Sequence, residues 1–149
     1  MHFESHAALT AYLANYPKLE TLRISVDMTT LPPLPDTLVR LTIDKSPLLT
    51  TISALPNSLA ELEILSCPSL VQVSALPSGL QFLRATYVGM ANLPALPSTL
   101  TRFEIYGLPQ IQELPTLGDN LISVSIGDCK KLQNLPRLPD SIERLELER

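Results

Sequence analysis

The sequence predicts a solenoid in which a short parallel strand and an extended return leg repeat about seven times and stack. Three observations predict it. The skeleton L-P-x-x-L-x-x-L-x-I-x-x-C of Ser53–Val73 recurs almost end to end, and aligning on the leucine before the second proline, or before Gly118 in one copy, gives Leu34, Leu55, Leu76, Leu96, Leu117 and Leu138, at intervals of 21, 21, 20, 21 and 21 residues. A period that regular means an array of stacked units rather than a single folded core. Composition agrees: 45% of the 149 residues are apolar but only 5% are aromatic, with no Trp, which suits a core made of identical small layers. Third, the chain has 14 prolines, and they punctuate the segments between the leucines.

Residues 1–18 lie outside the repeats. Ser5 can cap a helix over roughly His6–Asn15, with Ala8, Leu9, Tyr12, Leu13 and Tyr16 at helical spacings, and Pro17 ends it. The first layer of a solenoid would expose its leucines to water, so a helix with an apolar face is the expected N-terminal lid. His2 and His6 sit here with no second ligand or base nearby and read as ordinary surface residues.

The array occupies residues 19–149 in units of 20–21 residues. Its triplets are Leu22-Arg-Ile24, Leu41-Thr-Ile43, Leu62-Glu-Ile64, Leu83-Arg-Ala85, Phe103-Glu-Ile105, Val124-Ser-Ile126 and Leu145-Glu-Leu147. Each alternates in, out, in, which is a short strand with its apolar residues facing one interior. Three residues past each triplet comes a turn position, held by Ser46, Cys67, Val88, Leu108 and Cys129. The return leg, as in Leu93-Pro-Ala-Leu-Pro-Ser-Thr99, should be polyproline-like, because proline fixes φ and cannot donate to a ladder. A thin outer leg implies modest curvature, with the strands on the concave face. The third unit is one residue short, which should tighten its turn and re-aim the residues around Tyr87 and Gly89. The chain stops at Glu148-Arg149, inside a strand unit, as a fragment of a longer array would.

Several function classes fall away. The net charge of −4 leaves no basic footprint for nucleic acid. No apolar run approaches the roughly 18–20 residues of a spanning helix, and Glu4 and His6 interrupt any signal-peptide stretch. Cys67 and Cys129 fall three repeats apart, so at about 4.8 Å per strand their sulfurs should lie roughly 14 Å from each other. A disulfide needs Cα atoms within about 7 Å, so both should be reduced ladder residues. No catalytic constellation, phosphate loop, cofactor motif or metal-ligand spacing occurs.

The L-P-x-L-P-x-x-L-x-x-L-x-I core at Leu93–Ile105 and Leu31–Ile43 resembles the bacterial leucine-rich repeat of type III secreted effectors of the IpaH, SspH and YopM kind. The Cys-type turn and the S-L-x-x-L wording also resemble repeats of plant intracellular immune receptors. The effector resemblance covers residues 19–149 and implies a non-catalytic module that recognises a host protein, acting as a monomer in the host cytoplasm after secretion by a bacterium. The alternative is the substrate-recognition part of a larger ubiquitin-ligase effector. A purely structural or self-assembling array is the third reading.

Function would then lie on the sheet face. Its outward columns carry mostly charged and small residues, with Glu63, Arg84 and Glu104 alternating in sign. The apolar outliers are Leu65, Phe82, Tyr87 and Tyr106, in three consecutive units, and all four are expected to be exposed. With Arg84 and Arg102 beside them they form the candidate partner-binding patch, since hot spots are enriched in Tyr and Arg.

Overall fold

An aliphatic, a polar and an aliphatic side chain in sequence set each triplet into extended backbone with one face inward. In the computed structural model, which describes residues 1–149, β2 (Thr21–Val26), β3 (Arg40–Asp44), β5 (Glu61–Cys67), β7 (Phe82–Val88), β8 (Arg102–Tyr106), β9 (Ser123–Gly127) and β10 (Arg144–Leu147) stack in parallel in that order. The register never slips: Leu22, Leu41, Leu62, Leu83, Phe103, Val124 and Leu145 lie opposite one another strand by strand. Up to β9 these inward residues are buried, and they belong to a continuous core running from Phe3 to Ile126.

Two further pieces of sheet were not legible in the triplets. β1 (His2–Phe3) pairs in parallel with β2, His2 against Ser25 and Phe3 against Val26, so the main sheet has eight strands. β4 (Thr51–Ile52) and β6 (Gln72–Val73) pair with each other in a separate two-stranded sheet. The rest of each return leg carries neither helix nor strand.

Prolines and hydroxyls act locally in most units. The carbonyls of Pro35, Pro56, Pro77, Pro97 and Pro139 accept the N–H of the leucine or isoleucine three residues on, closing a turn that delivers the chain into the next strand. Gly118 takes that place in the remaining unit. The hydroxyls of Thr37, Ser58, Thr99 and Ser141 then donate to carbonyls of the preceding repeat, at Leu19, Leu38, Leu80 and Leu121. The L-P-x-[ST]-L wording is thus both a turn and a staple.

At the far end of the strands the chain bends through left-handed backbone. Lys45, Ser66, Tyr87, Gly107 and Asp128 all have positive φ, between 46° and 65°, one residue before the turn position in five successive units. That turn position is sealed: Ser46, Cys67, Val88 and Leu108 are buried, and Ser46 Oγ accepts the N–H of Val26 at 2.9 Å while Cys67 Sγ donates to the carbonyl of Leu65 at 3.4 Å. No buried side-chain nitrogen or oxygen lacks a partner. The short third unit brings its bend hard against its neighbour, because a Cβ on Gly89 would lie 2.3 Å from the carbonyl oxygen of Pro68.

Before the stack, α1 (His6–Ala14) begins at Ser5, whose side chain accepts the N–H of Ala8, and it buries Leu9 and Leu13. The two histidines are exposed but engaged. His2 Nδ1 and Ser25 Oγ are 2.8 Å apart, and His6 Nε2–H donates to the carbonyl of Thr30 at 2.7 Å. At the other end, Leu145 and Leu147 are exposed, and a hollow of about 500 Å³ opens beside Leu132, Leu135 and Leu147.

Burial in a layered core sets the size of a deletion. Leu62→Ala, at a fully buried site in a central layer, should lower unfolding free energy by about 2–5 kcal/mol. Leu147→Ala, at a half-exposed site on β10, should change it by less than about 1 kcal/mol. Urea denaturation of the two variants measures both, and equal losses would contradict a stack buried layer by layer.

Candidate functional site

The outward face of the main sheet is covered largely by its own charges. Arg23 donates to Asp44 at 2.8 Å, Arg40 to Glu61 at 3.1 Å, and Arg144 to Glu146 at 2.6 Å. Arg84 bridges Glu63 at 3.0 Å and Glu104 at 2.6 Å, across three neighbouring strands. Burial pulls the Arg84 guanidinium down from its ordinary range, but Glu104 and then Glu63 outweigh it and the net shift is upward. Arg144 holds the Glu146 carboxyl below its usual range. These pairs are reached by solvent, so screening keeps their contribution to stability small. Their effect is to leave few unmatched groups on the face.

Of the six residues singled out by sequence, Phe82 is not exposed: it is only 9% accessible. The ring points outward, opposite Glu61 and Arg102, but two guanidinium groups cover it, Arg102 at 4.2 Å and Arg84 at 5.5 Å from its centroid. A planar cation stacks on the negative face of a ring and shields it from water, an effect that sequence columns do not display. Arg102, itself exposed, makes no hydrogen bond or ion pair through its side chain.

Leu65 is half-buried, opposite Asp44 and Thr86. Tyr87 and Tyr106 are exposed and meet edge to face, with ring centroids 5.7 Å apart. The neighbouring Tyr87 first, and Asp128 next, push the Tyr106 phenol above its usual range. Five of the six residues therefore form two groups rather than one patch, and half-buried Leu65, opposite Thr86, lies on the tyrosine side. Phe82, Arg84 and Arg102 sit where the strands begin, and the tyrosines sit where they end, about 16 Å away along β7 at roughly 3.3 Å per residue.

Glycines make room for the tyrosines, and sequence reasoning missed them. A Cβ on Gly107 would lie 2.6 Å from Tyr87 Cδ1, and one on Gly127 would lie 2.5 Å from Tyr106 Cδ2, so each ring lies flat on the glycine of the next repeat. The signal was available in the aligned columns: Gly107 takes the position of Tyr87 one repeat later, and Gly127 takes that of Tyr106. Beside Tyr87 lies a shallow hollow of about 210 Å³ lined by Pro68, Val88, Gly89, Gly107 and Pro109. Beside Arg102 lies a second, of about 500 Å³, whose floor includes Ser123 and Ser125 on β9.

No group of His, Cys, Asp and Glu is placed to hold a metal ion, and no helix is long and apolar enough to cross a membrane. Both cysteines are free, and burial above all pushes both thiols up.

No family model matches the chain, and no curated protein matches its sequence. Among solved structures it is similar to YopM from Yersinia enterocolitica WA-314, with a TM-score of 0.55 and 27% identity over 88% of this chain and 33% of that one. The chain therefore spans about a third of the length of that structure. That likeness and the unbroken parallel stack identify a leucine-rich-repeat solenoid.

Two outcomes are expected. Gly127→Ala should displace the Tyr106 ring and destabilise the chain by about 1–3 kcal/mol, and Tyr106→Ser should remove most of that loss in the double variant; additive losses in the cycle would contradict the ring-on-glycine contact. Alkylation by iodoacetamide at pH 8 should modify Cys129, which is partly accessible, well before buried Cys67. Mass spectrometry of timed samples gives the order, and equal rates would count against a sealed Cys67.

Proposed function

We propose that the chain is a non-catalytic recognition module that grips a host protein on the concave face of its sheet. In this reading residues 1–18 close the N-terminal layer and residues 19–149 form the array. The module is a monomer delivered by a bacterium into the host cytoplasm. Leu65, Phe82, Arg84, Tyr87, Arg102 and Tyr106 supply the contact, with Phe82 acting beneath the two arginines.

One observation supports this reading more than any other. On a face whose arginines are mostly matched to carboxylates, two tyrosine rings stay half in water and are held in place by glycines. A rigid, amphipathic ring loses little conformational freedom when a partner covers it, which is why such residues dominate interface energetics. The similarity to YopM supports the fold on which the reading stands.

A photo-crosslinker placed at Tyr106 tests it, with Val71, exposed next to β6, as the control position. In host-cell lysate the probe at 106 should trap a discrete protein that the probe at 71 does not. Adding Tyr87→Ser should reduce the yield about tenfold or more, as expected for an anchor worth roughly 1.4 kcal/mol or above, while far-UV circular dichroism stays unchanged. The same products from both positions would refute a sheet-face interface.

A further inference from the structure

Five arginines project from the main sheet: Arg23, Arg40, Arg84, Arg102 and Arg144. Four of them are matched to carboxylates of the same chain at 2.6–3.1 Å. Arg102 alone has no acidic partner, although it is not loose: its guanidinium lies 4.2 Å over the Phe82 ring. Stacking fixes the plane of the fork, strips water from one side of it and leaves its N–H edge free. Directly opposite on β9 is Ser123, whose hydroxyl makes no hydrogen bond within the chain. Both line the hollow of about 500 Å³ at the β8–β10 end of the face.

We propose that Arg102 and Ser123 form a receptor for one carboxylate of the bound protein, a single aspartate or glutamate on a segment crossing β8 and β9. This rests on the sheet-face reading above and names the chemistry of its partner. A carboxylate presents two oxygens to the planar fork, and the serine hydroxyl can donate to one of them. The surroundings select a single charge. Glu104, Glu143 and Glu146 also line the hollow. Glu104 and Glu146 are held by Arg84 and Arg144, and Glu143 has no cation, so Arg102 offers the one free guanidinium and the additional oxygens and charge of a phosphate would be desolvated with no cation to meet them.

Arginine Nε–Hε resonances of the full chain, titrated with acetyl-Ala-Glu-Ala amide, which carries one carboxylate, and separately with inorganic phosphate, test the assignment. The expected result is a saturable shift of Arg102 with the glutamate peptide, little movement of Arg23, Arg40, Arg84 and Arg144, and weaker binding of phosphate. Ser123→Ala should weaken the peptide about three- to tenfold, and Arg102→Gln should abolish the shift at the Ser123 amide. Equal shifts at all five arginines, or phosphate binding more tightly than the peptide, would overturn the proposal. So would a change in the ligand-free Arg102 resonance on Glu143→Gln, because it would reveal an internal partner. A flat titration with crosslinking at 106 intact overturns the carboxylate receptor alone; loss of site-selective crosslinking overturns the sheet-face reading itself.

Discussion

Everything in this chain depends on one requirement: no repeat can satisfy its own backbone. A strand of four to seven residues has no hairpin partner, so its N–H and C=O groups find theirs only on the strands before and after it. The same applies outside the strands, where Ala60 donates to Val39, Gln81 to Ala60, Thr101 to Gln81 and Ile122 to Thr101. Hydrophobic burial follows from that stacking, because the leucines of one layer are covered only by those of the next. Layer order, strand register and core continuity are therefore one fact seen three ways, and the exposed leucines of β10 mark the layer that has a neighbour on one side only.

This dependence explains what was legible in the sequence. Leu22, Leu41, Leu62 and their equivalents each face the same environment, so their periodicity carries the fold directly. Ser5, as the start of a helix that buries Leu9 and Leu13, was equally readable from capping chemistry and spacing. Pairing of His2–Phe3 with β2 was not, because two residues show no alternation. The accessibility of Phe82 was misread for a different reason. A column of outward positions predicts which way a side chain points, but two arginines from its own and the adjacent strand decide whether water reaches it.

Deviations from the repeat also sort the face into regions with different chemistry. Where arginine and glutamate alternate across β5, β7 and β8, the sheet neutralises itself and offers a partner little to gain. Where the alternation lapses, at Ser123 and Ser125, a guanidinium is left without a mate. Where glycine replaces a side chain, at positions 107 and 127, aromatic rings settle onto backbone and stay in view. A scaffold of identical layers thus acquires distinct surfaces through the few residues that fail to repeat.

The left-handed row at the end of the strands extends this point. Four of its five members, Lys45, Ser66, Tyr87 and Asp128, carry side chains in a conformation that disfavours them by roughly 1–2 kcal/mol each, a sum comparable with the whole stability of many domains. Glycine would adopt the same backbone without that penalty. The row therefore behaves like letters kept legible at the expense of durability, one per repeat, written on an unchanging line. Gly107 is its single blank, and it is the blank that lets the letter before it, Tyr87, lie down flat enough to be read.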